Sequence, residues 1–429
     1  MSSKAFVRTE FHPDMPPPAS EAGVIGWLRH NLFSTWYNSL ATLFILYLAW
    51  LVIPPAIDWT LISSVWEADN YKDCKAGGTG ACWGMIEKRF NLFMYGFYAE
   101  DNHWRPNLAV VIFLLAMLPV LFDKIPGRKF CAPFLILGYP PLAVALIRGP
   151  IEMSSFQSTI GIAVWIALFA GAVFMGHRGA KTSNAVMSGA GYTLAYIILF
   201  VIFIAWGLGL EPTATDSYGG LMLTVILAGV GIAVSLPLGI LLALGRRANS
   251  MPLIQMLCIA FIELIRSVPL ITVLFMAQFM LPLFLPEGVN FDNVMRALVG
   301  FSLFAAAYMA EVVRGGLQAI PKGQFEAADS LGLNFYLNMR LIVLPQALKI
   351  VIPGIVSTFI GLFKDTSLVS IIGLADLLLV AKQSYTDSNW LGLEHTAYVF
   401  IAIIYFIICF SMSRYSMYLE RKLHTGHKR

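Results

Sequence analysis

The chain has 429 residues, of which 58% are hydrophobic and only 13% are charged, and its formal net charge is +4. Ordinary soluble domains carry about 25% charged residues, so this composition, with a mean hydropathy of +0.72, excludes a soluble protein. A polar, Pro-rich stretch of about thirty residues precedes the first apolar run, unlike the short basic start of a cleaved signal peptide. We therefore expect the N-terminus to be retained.

Membrane-spanning helices are predicted wherever the chain offers about 20 largely apolar residues, the length that crosses a bilayer. Such segments, in chain order, are 36–54, 106–122, 130–147, 157–175, 192–210, 220–244, 254–284, 294–314, 347–373 and 395–415. The predicted fold is thus an all-α polytopic membrane bundle of about ten transmembrane helices.

Basic residues follow every even-numbered predicted span, whereas the opposite loops, such as 211–216 and 287–292, are acidic or nearly neutral. Short cytoplasmic loops collect Lys and Arg. Both termini are therefore predicted to be cytoplasmic. The basic residues are Lys124, Arg128, Lys129, His177, Arg178, Lys181, Arg246, Arg247, Arg314, Lys322, Arg340, Arg414, Arg421, Lys422, Lys428 and Arg429.

An insert near residues 55–105 separates the first two predicted spans, and the charge rule places it in the periplasm. Cys74 and Cys82 flank a Gly-rich linker there, and an oxidising compartment would let them close a disulfide. The alternative is two free thiols, because sequence alone does not fix pairing. Cys131, Cys258 and Cys409 lie in apolar runs, where we expect small core residues.

The chain divides near residue 215. Residues 1–215 form a predicted N-terminal extension with about five transmembrane helices and the periplasmic insert. Residues 216–429 hold the other spans and nearly all the polar patterning. No internal repeat relates the two halves, which argues against a duplicated transporter.

A polar segment near 318–345 interrupts the apolar second half. Glu326, Ala327 and Ala328 are expected to open a helical turn, with the acid at the positive end of the helix dipole and small residues that let a partner approach closely. Gly332 would turn this helix into the next, and Pro345 would begin the following helix. The prediction is a cytoplasmic helical hairpin, and the alternative is an ordinary amphipathic loop.

The spacing of Glu326-Ala327-Ala328, Gly332, Ile342 and Leu344-Pro345 resembles the complete coupling-helix signature of type I importer permeases, which ATP-binding cassettes (ABC) drive. Segments 262–270, 307–316, 322–324, 344–347 and 364–368 resemble the polar amino-acid uptake subgroup of that family. Together they cover about residues 219–416, and one departure is Ser267-Val268, where Gly-Thr is usual. The extension resembles enlarged permeases of general L-amino-acid import systems by layout alone.

This resemblance implies a five-helix type I importer core in the bacterial inner membrane. It implies a permease subunit that imports L-amino acids delivered by a periplasmic binding protein and that docks a separate dimer of ABC ATP-binding subunits. ATP-Mg would bind those subunits, so this chain would be no enzyme and carry no cofactor. A second permease subunit, a paralogue by the enlarged layout, would complete the path in the lipid bilayer. The ATPase-coupling residues would be Glu326, Ala327, Ala328, Gly332, Leu344 and Pro345.

Charged residues within the spans admit two interpretations, since each costs about 2.5–3.5 kcal/mol at a helix centre. Glu263 and Arg266 are three residues apart, as are Glu311 and Arg314, so each pair can bond on one helical face and anchor its helix. Alternatively, a zwitterionic amino acid needs such donors and acceptors in its pathway. The candidate pathway residues are Glu263, Arg266, Thr272, Ser302, Glu311, Lys364, Asp365, Thr366 and Ser367, the last four interrupting the ninth span.

Two other classes of function fit the sequence less well. An ion-coupled secondary amino-acid transporter would often show inverted repeats. A membrane-embedded enzyme would need a catalytic constellation, and none can be anchored to a motif. The histidines show no metal-ligand spacing, and membrane topology accounts for the basic loops without nucleic acid. The sequence predicts neither a metal site nor a nucleic-acid partner.

Overall fold

The computed structural model describes residues 23–150, 159–182, 185–248, 250–286 and 291–423. Within these ranges the regular elements are helices, and extended pairing is confined to isolated bridges such as Gly220 with Asp376. The predicted all-α class is therefore confirmed. The polar N-terminal stretch to residue 22, the first two residues of the predicted span 157–175, and the tail from residue 424 lie outside the described residues.

The chain folds into two compact units, Met1–Gly84 and Met85–Arg429. This boundary differs from residue 215, where the sequence separates extension from core, and that division stays a prediction. The helices of the first unit are α1 (Gly23–Asn31), α2 (Trp36–Ile57), α3 (Tyr71–Gly77) and the first residues of α4 (Trp83–Lys88).

The first unit contains a small folded loop after α2, over about residues 65–83. Cys74 and Cys82 are joined in a disulfide, with their Cα atoms 5.7 Å apart. Backbone bonds from Val65 N to Ala81 O (2.8 Å) and from Trp83 N to Val65 O (2.7 Å) close the same loop. The chain between the cysteines is therefore held by main-chain hydrogen bonds as well as by the cross-link.

The second unit continues with long apolar helices and short connecting helices. They are α5 (Phe90–Tyr95), α6 (Trp104–Leu121), α7 (Arg128–Pro133), α8 (Tyr139–Arg148), α9 (Thr159–Lys181), α10 (Ala185–Trp206), α11 (Gly220–Gly245), α12 (Pro252–Arg266), α13 (Leu270–Phe275), α14 (Asn293–Ala319), α15 (Lys322–Ser330), α16 (Phe335–Asn338), α17 (Leu344–Ile350), α18 (Ile352–Asp365), α19 (Leu377–Thr386) and α20 (Glu394–Leu423).

Nine helical segments of the described chain are long and apolar enough to cross a membrane, and one bent pair raises the number to ten. The predicted count of about ten spans is confirmed. Several helices extend beyond the predicted ends of their spans: α9 continues to Lys181 and α14 to Ala319. Arg178 and Lys181 therefore lie in the last turn of α9 and not in a loop. Basic side chains at that position interact favourably with the helix dipole.

The segment 254–284, predicted as one span, is sharply bent. Pro252–Arg266 and Leu270–Phe284 meet at an angle of 106°. Pro269 disfavours helical backbone at Val268 and brings no N–H to the helical ladder, so α12 ends and α13 begins across this short break. This pair is either a broken span or a re-entrant loop.

Helix α14 is the central element of the second unit, because its apolar residues are the most completely buried of the candidate spans. It packs against α11 through Gly231 and Gly239. A Cβ at Gly231 would lie 2.7 Å from the Phe301 ring, and one at Gly239 would lie 2.7 Å from Met309 Cβ. Small residues let membrane helices approach closely, so these glycines set the α11–α14 contact.

The disulfide can be tested by counting thiols. The chain has five cysteines, and Cys131, Cys258 and Cys409 are free. Protein extracted from membranes and denatured without reductant should expose three reactive thiols, and five after reduction. The Cys74→Ser variant is the control, with four under both conditions; five thiols in unreduced wild-type protein would contradict the pairing.

Candidate functional site

The polar segment 318–345 forms a helical hairpin, and Gly332 makes its turn. Helix α15 ends in a Schellman motif: Leu333 N donates to Ala328 O (3.2 Å) and Gly332 N to Asp329 O (2.9 Å). Gly332 has a φ of +71°, in the left-handed region that L side chains avoid. The turn expected at Gly332 is present.

The first arm differs from the sequence expectation in two respects. Helix α15 begins at Lys322, directly after Pro321, so Glu326 lies in mid-helix rather than at the N-terminal end of the dipole. Pro321 fixes the start, because proline favours the beginning of a helix. Ala328 is fully buried within the chain, whereas Glu326 and Ala327 are exposed. Of the two alanines, only Ala327 is accessible to a partner.

The second arm runs through α16, a π-helical turn over Met339–Val343, and α17. Pro345 lies in the first turn of α17, as expected, and Leu344 is half-buried. Pro345 has no N–H to donate to the preceding turn, and this missing hydrogen bond accounts for the wider π-helical turn before it. The Gln346 amide donates to Gln324 Oε1 (3.0 Å) and ties the arms together.

Large apolar side chains are exposed on this otherwise polar hairpin. Leu331 is 74% exposed, Phe335 59% and Tyr336 67%. These three residues flank the Gly332 turn, and we call them the apolar tip. Exposed apolar clusters rimmed by polar residues are typical of surfaces that contact a protein or a membrane.

A charged cluster lies on α14, two turns before the hairpin, and its centre is Glu311. The Glu311 carboxylate accepts from Arg314 Nη2 (2.6 Å) and from Arg246 Nη1 (3.1 Å), and Arg266 Nη1 is 3.7 Å away. The Arg266 guanidinium also lies 5.6 Å from the centre of the Tyr308 ring. Residues from α12, α14 and the end of α11 therefore share one carboxylate.

The pairing predicted between Glu263 and Arg266 is wrong. Glu263 pairs with Arg246 (2.9 Å), while Arg266 turns towards Glu311 and the ring of Tyr308. Arg266 is the last residue before the bend, so its side chain is directed by the packing of α12 on α14 rather than by helical spacing. The pair of Glu311 with Arg314 forms as the spacing predicts.

Sequence reasoning missed Arg246, which it assigned only to a basic loop. Arg246 directly follows α11 and bridges Glu263 and Glu311, the latter 65 positions away. No local pattern signals such a contact, because the partners belong to different helices.

The other candidate pathway residues lie apart from this cluster. Thr272 is exposed on α13, and Ser302 is buried on α14; in the described part of the chain neither bonds to the cluster. Helix α18 ends at Asp365 and a 3-10 helix follows over Thr366–Ile372, so the polar run at 364–367 marks a change of helix type within the ninth span. Thr366 is buried, and its hydroxyl lies 3.5 Å from the Tyr405 hydroxyl.

A second residue missed from the sequence is Asp376, which lies between two spans and is fully buried. It caps α19 by accepting from Leu378 N (3.1 Å) and Leu379 N (3.0 Å). Burial raises the pKa of the Asp376 carboxyl to about 7, although these backbone N–H groups counteract part of that effect. The described residues contain no group of three or more His, Cys, Asp or Glu side chains that could hold a metal ion.

Comparison of the sequence with known proteins identifies the family of this chain. Residues 235–425 match the model of the "Binding-protein-dependent transport system inner membrane component" family. The chain is 44% identical over 416 residues to the inner membrane amino-acid ABC transporter permease protein YhdY of Escherichia coli, covering 97% of both chains. It is 43% identical over 446 residues to the glutamate/glutamine/aspartate/asparagine transport system permease protein BztC of Rhodobacter capsulatus, covering all of both chains.

Among solved structures, the crystal structure of an amino acid ABC transporter with histidines is 31% identical to this chain. The match covers 47% of this chain and 92% of that one, with a TM-score of 0.42. The two full-length relatives and the apolar helices make this chain a multi-pass inner-membrane protein. The chain belongs to the family of inner membrane components of binding-protein-dependent transport systems, in the group that includes these amino-acid ABC transporter permeases.

Proposed function

We propose that this chain is the membrane-spanning permease subunit of an ABC importer for L-amino acids. It receives solute from a periplasmic binding protein and is coupled to a separate ATPase subunit through the 318–345 hairpin. The observation that carries the coupling is the apolar tip. Its three large apolar side chains are exposed on a polar segment, and docking of a partner protein would cover them.

The shape of the hairpin supports docking into an ATPase. The Schellman motif at Gly332 and the bond between Gln346 and Gln324 fix the two arms relative to each other. Ala328 and Phe325 lie on the inner side, where Phe325 packs on the core cluster that contains Val313 and Leu317. A hairpin that is rigid and anchored in the core can transmit displacement from a partner to α14.

The names of the relatives support the proposed solute class. One of them is an amino-acid permease and the other a permease for glutamate, glutamine, aspartate and asparagine. We extend L-amino acids as a class to this chain, without choosing among acidic, basic and neutral ones.

The partners follow from the same assignment. A dimer of ABC ATP-binding subunits would hold ATP-Mg and hydrolyse it, while a second permease, a paralogue, would complete the path. Both termini and the hairpin would face the cytoplasm, because Lys322 and Arg340 of the hairpin and the basic C-terminal segment fit the charge rule for cytoplasmic loops.

The charged cluster is better suited to holding helices than to binding solute. The Glu311 carboxylate already bonds to Arg314 and Arg246, with Arg266 close by, so little of it is left for a ligand. We therefore assign Glu263, Arg266 and Glu311 a structural role. Thr272, Ser302 and the interruption at 364–367 remain the proposed pathway groups.

These two roles should separate in variants. Glu311→Gln leaves Arg266 and Arg314 without their charged partner, and we expect it to lower the unfolding free energy by about 1–3 kcal/mol with an unchanged apparent KM for uptake. Ser302→Ala should raise the apparent KM while leaving the melting temperature near that of wild type. Thermal unfolding and uptake by the reconstituted complex measure both; a raised KM and normal stability in Glu311→Gln would reverse the assignment.

The coupling role can be tested at Gly332. No atom lies within 4 Å of a Cβ built there, so Gly332→Leu meets no clash in this chain. Left-handed backbone costs a branched residue roughly 1–2 kcal/mol, enough to displace the hairpin. We expect uptake and binding-protein-stimulated ATP hydrolysis to fall about tenfold while the protein still folds.

Asparagine tolerates left-handed backbone, so Gly332→Asn is the matched control and should retain most of the coupling. Gly323→Ala is a second control, because Gly323 is exposed in α15 with open space around it. Wild-type uptake and stimulated hydrolysis in Gly332→Leu would sink the docking assignment.

A further inference from the structure

We propose that Arg148 is a positioning residue for transport. Its ion pair with Asp292 fixes the start of α14, the helix whose other end leads into the coupling hairpin. This inference rests on the proposed function and assigns the predicted N-terminal extension a part in the transport cycle.

The contact combines an ion pair with a helix cap. Arg148 Nη1 lies 2.8 Å from Asp292 Oδ2, and both side chains are partly buried. The other oxygen, Asp292 Oδ1, accepts from Met295 N (2.7 Å) and caps the first turn of α14. One carboxylate therefore joins α8 to the first turn of α14.

Arg148 is itself firmly held. It is the last residue of α8, and its carbonyl accepts from Thr213 N (2.8 Å). The Tyr98 hydroxyl donates to the carbonyl of the preceding residue, Ile147 (2.7 Å). Gly149 then turns the chain with a φ of +73°, so close to Glu211 that a Cβ would lie 2.5 Å from its carbonyl oxygen. The end of α8 can thus serve as a fixed point.

Towards its other end, α14 carries the Glu311 cluster, and after Ala319 the chain continues into α15 at Lys322. The helix has 27 residues and is therefore about 40 Å long, enough to connect the two faces of a membrane. A helix fixed at its start and pushed at its end must rotate or tilt about that start. Without the ion pair to Arg148, the start of α14 would move together with the hairpin. Less of the hairpin's displacement would then be transmitted to the solute path.

The Arg148–Asp292 pair joins the region that the family model covers to a residue outside it. The family model covers residues 235–425, which include Asp292 but not Arg148. A permease consisting of that unit alone would lack this partner for α14.

A second ion pair supplies the matched control. Arg89 Nη2 lies 2.6 Å from Asp387 Oδ2, with similar exposure, and joins the segment before α5 to the residue after α19. It links residues on either side of position 215 as the Arg148 pair does, but it does not involve α14. A general stabilising role would make the two pairs equivalent, whereas a role through α14 would not.

The experiment compares Arg148→Gln, Asp292→Asn and the double variant with Arg89→Gln. Asparagine remains a good helix cap, so Asp292→Asn removes the charge and leaves the cap. Each full complex, with its ATPase, second permease and binding protein, is reconstituted in proteoliposomes. The readouts are uptake of a radiolabelled mixture of L-amino acids per ATP hydrolysed, ATP hydrolysis without binding protein, and melting temperature.

We expect both single variants to lower uptake per ATP by roughly two- to fivefold, the range that one partly exposed ion pair can supply. The double variant should lose no more than either single variant, because all three remove one interaction. Hydrolysis without binding protein should stay near wild type, and Arg89→Gln should keep wild-type uptake per ATP.

Three results would overturn the proposal: wild-type uptake per ATP in Arg148→Gln, additive losses in the double variant, or an equal loss in Arg89→Gln. A lower melting temperature with unchanged uptake per ATP would assign the pair a structural role only. Failure of the proposed function gives a different result, since the wild-type complex would then show no ATP-driven uptake, and the inference would fall with it.

Discussion

The arrangement of the core helices depends on the ion pairs of three arginines with the Glu311 carboxylate. Charges in an apolar chain are costly unless they are paired, and here α12, α14 and the end of α11 bring their charges to one point. Removing one partner would leave another charge uncompensated, which destabilises a partly buried cluster. The cluster therefore fixes the positions of these helix ends relative to one another, directly before the hairpin begins.

Helix α14 connects the features that matter for transport. Its first turn is capped by Asp292, its middle packs closely on the glycines of α11, and Glu311 lies near its last turns. Helix α15, the first arm of the hairpin, follows after two residues, and the hairpin presents the apolar tip. A displacement of the hairpin thus acts on a helix that lines the centre of the second unit, as a permease coupled to an ATPase would require.

Local signals in the sequence predicted much of this structure, and contacts between helices were missed. Apolar length located the spans, and Gly332 marked the turn, because both properties belong to the segment itself. The bend at Pro269 was missed because the apolar stretches before and after it were joined into one span, although the proline was visible. Arg246 joins Glu311 across 65 positions and Asp376 is buried by other helices, so neither could be read from spacing.

The energy source for uptake tests the account most directly. Membrane vesicles that contain the full complex and its binding protein are loaded either with ATP while ion gradients are collapsed, or with an ion gradient after ATP depletion. We expect uptake of labelled L-amino acids only in the first condition, because the proposed function couples transport to an ATPase through the hairpin. Uptake that persists without ATP while the ion gradient remains would contradict it and favour an ion-coupled secondary transporter.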